Sequence, residues 1–247
     1  MKKQGLYNPR HEHDSCGIGF VVNVDGTRNH TLIREGITIL KNLLHRGAIG
    51  GDMKTGDGAG ILLQIPHLFF RKIVEKDDFS LPEEGSYGVG MLFLSQDPKK
   101  RKQITSKIIE KISLAKGKLL GFRQVPVNPS CLGDLALKSL PAIEQVFVSI
   151  PNARGIELER KLYVLRKEIE KSVYDLNLSI YDFYIASFSC KTIVYKGLFV
   201  GDQFDTFYKD TTDPDFISSI VVIHQRYSTN TFPSWPLAQP FRYTAHN

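Results

Sequence analysis

The stretch that decides the fold is Cys16-Gly17-Ile18-Gly19-Phe20-Val21-Val22, which opens the first apolar run of the chain. Large apolar side chains recur at every second position from Ile18 to Val24, as expected for a β-strand. Asp25-Gly26 follows directly and supplies turn residues that are preferred in tight hairpins. The sequence therefore predicts that ordered structure begins with a strand at Cys16.

The residues before Cys16 are polar. The chain starts with two lysines but lacks the apolar segment of an export signal, because His, Glu and Asp occupy positions 11–14. The stretch is also too polar to bury one face of a helix or strand. We therefore predict that residues 1–15 form an exposed leader and not an export signal.

Beyond the first strand, helical and strand patterns are interspersed. Periodic apolar residues predict helices near 32–44, 99–116 and 158–176. Apolar runs predict strands at 61–63, 87–94, 119–125, 145–150, 182–188, 192–195 and 217–223. Because these elements do not alternate as strict βαβ units, the pattern favours an α+β layered fold. The sequence shows no internal repeat and no Pro/Ser-rich linker, so a single domain is the simplest interpretation.

The composition is that of a globular protein. The chain has 247 residues, 42% of them apolar and 20 of them glycine, which excludes disordered and fibrous classes. No apolar run approaches the roughly 18 residues of a spanning helix, so no membrane partner is expected. The three cysteines, Cys16, Cys131 and Cys190, are odd in number and far apart. This spacing argues against disulfides and favours a reducing, cytoplasmic location.

The net charge of +6 does not by itself indicate a nucleic-acid partner. Basic residues concentrate in 99–118 and 160–171, and glutamates are interleaved in the second stretch. A nucleic-acid site would need a one-signed stripe with aromatic residues or a recognisable module, so solvated helix faces are the simpler interpretation. The histidines show no metal-ligand spacing supported by carboxylates or cysteines, and no metal site is predicted.

Cys16 is the first candidate for catalysis. If residues 1–15 were removed, Cys16 would carry a free α-amine beside its own thiol. An α-amine titrates near pH 8, so one residue would supply both a nucleophile and a base. The alternative is a small buried side chain, which is the common environment of a free cysteine.

A second candidate cluster is His224-Gln225-Arg226-Tyr227-Ser228-Thr229-Asn230-Thr231, which follows an apolar strand. The planar fork of Arg226 suits bidentate binding of a carboxylate. The alternative is a surface loop that contains an ion pair.

The loop Thr55-Gly56-Asp57-Gly58-Ala59-Gly60 is rich in glycine but matches neither the dinucleotide nor the Walker spacing. We infer that a tight turn near a site requires these glycines, and we prefer this interpretation to a phosphate-binding loop.

Taken in order, these motifs resemble one family. Cys16-Gly17-Ile18, His45-Arg46-Gly47 and the Arg226 region resemble the class II (N-terminal-nucleophile) glutamine amidotransferases. The segments that look specific to one branch of that class are 126–133, 143–148, 192–197 and 228–235. Together they resemble the amidotransferase domain of glutamate synthase large chains, from Cys16 to Asn247.

The resemblance implies the four-layer αββα sandwich of N-terminal-nucleophile hydrolases. It implies that the leader, residues 1–15, is removed and that residues 16–247 are a partial amidotransferase domain. Cys16 would attack the side-chain amide of glutamine, and Asn247 would contribute to the oxyanion hole. Arg226 would hold the substrate α-carboxylate, while Arg46 and Thr229 match substrate-binding stretches of the family.

The resemblance also carries expectations about the rest of the enzyme. Glutamine is the expected substrate, and downstream synthase domains would pass its ammonia to 2-oxoglutarate. No cofactor is expected in this segment, although full-length members use FMN, an iron–sulfur cluster and NAD(P)H or ferredoxin. Since the sequence ends at Asn247, we expect the domain to be incomplete at its C-terminus, without the next glycine of the oxyanion motif and a later acidic residue.

Two alternatives to this assignment stay open at the sequence level. A truncated chain could be a non-catalytic fragment or binding module. A different class II amidotransferase, making purine precursors or amino sugars, is disfavoured by Thr231-Phe232-Pro233-Ser234-Trp235.

Overall fold

The computed structural model describes Gly5, residues 17–228 and residues 231–241. Its strands are β1 (Ile18–Val22), β2 (Ala59–Gln64), β3 (Gly88–Leu94), β4 (Lys118–Gln124), β5 (Ala142–Ser149), β6 (Phe183–Ser189), β7 (Thr192–Gly197) and β8 (Ile220–Gln225). Its helices are α1 (His30–Asn42), α2 (His67–Val74), α3 (Pro98–Leu114), α4 (Asp134–Lys138), α5 (Gly155–Tyr174) and α6 (Phe204–Phe207). Apart from Gly5, the predicted leader and the boundary at Cys16 lie outside the described residues.

The strands form two antiparallel sheets of four strands each. The first sheet has the order β1-β8-β2-β7, and the second has the order β4-β5-β3-β6. Helices pack on both sheets, so the predicted α+β layered fold is confirmed. The order of the first sheet matters for the site, because it places the beginning of β1 beside the end of β8.

Helix α1 packs against the first sheet. The side chain of Asn29 caps the start of α1 by accepting a hydrogen bond from the Leu32 amide (2.8 Å). The apolar stripe of α1 is fully buried. Gly36 lets the helix approach β8 closely, since a Cβ there would lie 2.6 Å from a methyl group of Val221. This packing fixes the position of β8 and therefore of the residues that follow it.

The second sheet is covered on both faces. Met91 and Phe93 of β3 face a core that also contains residues of the first sheet. The alternate residues Leu92 and Leu94 belong to a second core, formed with α3 and α5. Because both faces are buried, β3 is a continuous apolar run with no polar alternation.

The strand prediction at β1 is confirmed, but its apolar residues face outward. Ile18 and Phe20 are 52% and 68% exposed, whereas a Cβ on Gly19 would lie 3.0 Å from Ile39 of α1. The small residue of the alternating pair therefore faces the helix, because α1 lies too close to β1 for a large side chain.

Helices α2, α4 and α6 were not predicted from the sequence. They are only eight, five and four residues long, so helical periodicity in them is too brief to detect. Within the described part of the chain, no helix is long and apolar enough to cross a membrane.

Candidate functional site

The start of β1 and the end of β8 meet at the candidate site. The Gln225 amide donates a hydrogen bond to the carbonyl oxygen of Gly17 (2.5 Å), and a Cβ on Gly17 would collide with the carbonyl oxygen of Gln225. Only glycine fits at this position. The residue that follows Cys16 is therefore paired with the residue that precedes Arg226, although Cys16 itself lies outside the described residues.

Arg226 lies directly beyond β8 and is 9% exposed. Its main-chain amide donates to the carbonyl oxygen of Gly58 (2.8 Å). Its guanidinium donates to the hydroxyl of Thr231 (2.7 Å) and, at 3.4 Å, to the main-chain oxygen of Asp57. All three contacts are with neutral oxygens, and they fix the direction of the side chain.

The electrostatics of Arg226 suit an anionic ligand. Burial lowers the pKa of Arg226, and the negative charge of Asp57 offsets only part of that effect. Arginine stays protonated even so. Among the described residues no carboxylate lies within 4.0 Å of its guanidinium. A partly desolvated guanidinium with unused donors can bind a carboxylate through two parallel hydrogen bonds.

The glycine-rich loop packs against Arg226 and the residues that follow it. The Asp57 carboxylate accepts a hydrogen bond from the Ser228 amide (2.6 Å), and the Asp57 amide donates to the Ala48 carbonyl (3.2 Å). Gly58 has a φ of +125°, and a Cβ there would lie 2.7 Å from Ala238. The glycines therefore permit a positive φ and close packing beside Arg226.

Arg46 lies beside the start of β1. The Cβ atom of Arg46 lies 3.6 Å from the position that a Cβ on Gly17 would take. A Cβ on the next residue, Gly47, would collide with the side-chain amide of Gln225. That amide also accepts a hydrogen bond from the Gly201 N–H (2.8 Å), while its nitrogen has no partner among the described residues. The structure thus places Arg46 beside Gly17, and Gly17 pairs with the residue before Arg226. That the two arginines bind substrate stays a prediction.

Two predicted site residues, Thr229 and Asn247, lie outside the described residues, as Cys16 does. The structure gives contacts to Asp57, Gln225 and Thr231, which the sequence marked only as members of longer motifs, with no role of their own. The only available signal for Asp57 was a carboxylate inside a glycine run that precedes a buried strand. Thr231 had no signal of its own, since its role depends on the path of the chain after Arg226.

The two described cysteines are poor nucleophiles. Burial and the neighbouring Glu159 carboxylate raise the pKa of Cys190 to about 12. Burial also raises the pKa of Cys131, whose thiol contacts the Asn128 carbonyl (3.1 Å). Reactivity requires a thiolate, so the raised pKa values make both side chains less reactive near neutral pH. In the described ranges no group of three or more His, Cys, Asp or Glu residues could hold a metal ion.

Comparison with known proteins agrees with this geometry. A sequence model of the family described as "Glutamine amidotransferases class-II" matches residues 16–247. The chain is 46% identical over its whole length to a protein named glutamate synthase [NADPH] large chain from Bacillus subtilis, and covers 16% of that relative. It is 43% identical over 98% of its length to the protein of the same name from Azospirillum brasilense, again covering 16%.

A further relative is ferredoxin-dependent glutamate synthase 2 from Synechocystis, which is 40% identical over 96% of this chain. The chain covers 15% of that protein. It thus spans about one-sixth of the length of these curated relatives. The match to the family extends over all the residues that form the candidate site, and the chain belongs to the class II glutamine amidotransferases.

Proposed function

We propose that this chain hydrolyses glutamine to glutamate and ammonia, as the amidotransferase part of a glutamate synthase. The observation that carries the proposal is the pairing of Gly17 with Gln225, which places the neighbour of Cys16 beside the neighbour of Arg226. A nucleophile and a carboxylate-binding cation are the two groups that cleavage of an amino-acid side-chain amide requires.

Cys16 is the proposed nucleophile, after removal of residues 1–15. Its α-amine takes the thiol proton, and the sulfur attacks the side-chain carbonyl carbon of glutamine to give a tetrahedral intermediate. The α-ammonium then gives its proton to the amide nitrogen as the C–N bond breaks. Ammonia departs, and a γ-glutamyl thioester remains on Cys16. Water attacks the thioester, which releases glutamate and restores the thiol.

The other predicted residues bind the substrate and the transition state. Arg226 holds the α-carboxylate through the donors that its described neighbours leave unused. Arg46 and Thr229 bind substrate at the same site. Asn247 donates to the oxyanion that develops during attack, a contact that in hydrolases contributes about 100- to 1,000-fold in rate.

In the complete enzyme, downstream synthase domains take the ammonia and add it to 2-oxoglutarate. The relatives support this, because each is a glutamate synthase of which this chain matches only a small part. Their names include both NADPH and ferredoxin, so the electron donor of the parent enzyme is not part of the proposal. We place the protein in the cytoplasm, since a reducing compartment keeps the Cys16 thiol free.

The test compares the three cysteines of the 247-residue chain. Ammonia release from glutamine is measured for the wild type and for Cys16→Ala, Cys131→Ala and Cys190→Ala. A γ-diazoketone analogue of glutamine is then used to alkylate the nucleophile, and intact mass and peptide mapping locate the adduct. We expect activity and labelling to be lost only in Cys16→Ala, and the active chain to begin at Cys16.

The matched controls decide between this function and its rivals. Wild-type activity that survives Cys16→Ala, or labelling at Cys131 or Cys190, would overturn the proposed nucleophile. A wild-type chain that neither releases ammonia nor reacts with the analogue would instead be a non-catalytic fragment or binding module.

A further inference from the structure

Lys196 is a basic side chain buried in the first sheet, with no carboxylate within 4.0 Å among the described residues. It lies on β7 and is 0% exposed. Its Nζ donates hydrogen bonds to the main-chain carbonyl oxygens of Ala238 (2.6 Å) and Pro236 (2.9 Å). It also lies 4.7 Å above the ring of Tyr184 and 4.5 Å above that of Phe241.

This environment is unfavourable for a lysine that contributes only to packing. Burial lowers the pKa of Lys196 well below its ordinary value, and the positive charges of Arg166 and Arg226 lower it further. An apolar side chain of the same length would fill the space without that desolvation cost. The hydrogen bonds of Lys196 are therefore its distinguishing feature: the two shorter ones go to one segment of the chain, and the third, at 3.4 Å, goes to the Tyr184 hydroxyl.

That segment, residues 234–241, lies across the glycine-rich loop and β7. A Cβ on Gly60 would lie 2.7 Å from the carbonyl oxygen of Gln239, and a Cβ on Gly197 would lie 2.6 Å from the ring of Trp235. The segment therefore packs closely on both glycines, and the Trp235 indole N–H also donates to the carbonyl oxygen of Ala136 (3.2 Å). Lys196 adds the polar contacts that hold Pro236 and Ala238, beyond Trp235 in the chain.

One end of the surrounding stretch contacts Arg226, and the other end precedes Asn247 in the sequence. At one end the Thr231 hydroxyl accepts from the guanidinium of Arg226. At the other end Phe241 covers the Lys196 amino group, and Asn247 follows it by six residues. A displacement of residues 234–241 would therefore move the chain on its way to Asn247, while Arg226 would keep its contacts with the glycine-rich loop.

We propose that Lys196 is a positioning residue for glutamine hydrolysis, clamping residues 234–241 onto the glycine-rich loop so that Asn247 is held at the reaction centre. The inference rests on the proposed function. We assign Lys196 no proton transfer, because Nζ is fully buried and its two shortest hydrogen bonds end on main-chain carbonyls.

Lys196→Met and Tyr195→Phe form a matched pair on the same strand. Tyr195 faces the opposite side of β7, where its hydroxyl donates to Asp210 (2.9 Å) in a network remote from the segment. Both variants remove polar groups that are fully buried. Only Lys196→Met should loosen residues 234–241, so a difference between the two separates positioning from general stability.

The first readout needs no activity. Trp235 is the sole tryptophan of the chain, lies within the clamped segment and is 2% exposed. We expect Lys196→Met to shift its emission to the red and to increase quenching by acrylamide, with an unchanged circular dichroism spectrum. Tyr195→Phe should leave both emission and quenching as in the wild type.

The second readout is the kinetics of ammonia release. Because misplacement of a catalytic group by about 1 Å can cost roughly 100-fold in rate, we expect Lys196→Met to lower kcat about 10- to 100-fold. KM for glutamine should stay within about threefold, since Arg226 keeps its contacts; Tyr195→Phe should keep both constants. Lys196→Gln, which retains N–H donors, should show a partial loss of kcat and serves if the methionine variant does not fold.

Wild-type kcat and wild-type quenching in Lys196→Met or Lys196→Gln would overturn the clamp. Equal losses of kcat in Lys196→Met and Tyr195→Phe would also overturn it, because they would indicate a common loss of stability. Absence of hydrolysis in the wild type would contradict the proposed function instead, and the fluorescence arm would still decide whether Lys196 holds the segment.

Discussion

Two buried basic side chains, Arg123 and Lys196, lie on opposite faces of β7, and only Arg123 has a carboxylate partner among the described residues. Arg123 of β4 reaches the face that carries Tyr195 and makes two hydrogen bonds with the Asp210 carboxylate (2.7 and 2.8 Å). It also donates to Gln145 (2.9 Å). On the other face, the Lys196 amino group contacts carbonyl oxygens and aromatic rings, with no carboxylate beside it among the described residues.

The difference shows in the protonation of the two groups. Burial alone would lower the pKa of Arg123, but hydrogen bonds and charge from Asp210 more than compensate and raise it. No comparable partner compensates Lys196, whose pKa falls. A neutralised network contributes mainly to stability, because each polar group is satisfied inside the core. An uncompensated amine contributes mainly by holding what it contacts.

The largest effect on stability is expected from Asp210→Asn. The change keeps the shape of the side chain but leaves the Arg123 charge buried without a counter-ion, which typically costs about 3–5 kcal/mol in the free energy of unfolding. Urea denaturation measures this loss. The double variant Asp210→Asn/Arg123→Met should recover part of it, because the uncompensated charge is then removed. A loss below about 1 kcal/mol in the unfolding free energy of Asp210→Asn would show that the Arg123–Asp210 pair does not contribute this much to stability.

The next largest effect is expected from Gly60→Ala. A Cβ there would lie 2.5 Å from the Cβ of Lys196 and 2.6 Å from the Tyr195 carbonyl oxygen, so the backbone must shift. We expect a loss of about 1–3 kcal/mol and greater quenching of Trp235. Gly51→Ala is the matched control, since a Cβ on Gly51 would meet no atom within 4 Å. Equal losses in the two variants would mean that packing against β7 is not the cause.

These comparisons also show how far the sequence could lead. The long helices and the strands of both sheets were predictable, because their apolar patterns extend over enough residues to have a clear period. Arg46 and Arg226 are predicted site residues from their motifs, and the structure places Arg46 beside Gly17 and Arg226 directly after Gln225, while their part in binding substrate stays a prediction. Whether Cys16, Thr229 and Asn247 join them stays a prediction.

The clamp could not be predicted, and the reason is physical. Lys196 lies in a strand where a lysine would ordinarily mark an exposed position. It is buried because residues 234–241, an irregular segment with two prolines, cover that face of β7. Contacts between a strand and irregular chain leave no periodic signal. The same holds for Asp57, whose contact with the Ser228 amide spans 171 residues of sequence.

A smaller effect on stability is expected from Lys196→Met. The variant leaves two carbonyl oxygens without a donor but also removes the desolvation of the amino group, so we expect a net loss of only about 1 kcal/mol. This is well below the loss for Asp210→Asn, although both positions are buried. A loss as large as that of Asp210→Asn would mean that Lys196, like the Arg123–Asp210 network, contributes mainly to stability.

The pH dependence of that variant sharpens the same point. Lys196 faces Tyr184, Arg166 and Arg226, and its pKa is lowered by folding, so the folded state binds fewer protons than the unfolded state between that lowered pKa and pH 10.5. The stability contribution of Lys196 therefore rises with pH from its lowered pKa to 10.5 and is lost as pH falls through that lowered value. The difference in unfolding free energy between wild type and Lys196→Met should rise over this window. A flat difference would contradict the lowered pKa.

The smallest effect is expected at the surface of α3, where Lys107 and Glu110 form an exposed ion pair (2.7 Å). Water and salt screen such a pair, so Lys107→Ala should leave the urea midpoint unchanged within error, and 0.5 M salt should not alter the result. Lys107→Ala breaks an ion pair between a base and a carboxylate, as Asp210→Asn does, but at an exposed position. If it matched Asp210→Asn, charge pairing as such would explain the stability of the fold. If Lys107→Ala leaves the stability unchanged, ion pairing matters only where the base is buried, because solvent already satisfies an exposed lysine. The different contributions of Arg123 and Lys196 then arise from the groups that surround each buried base.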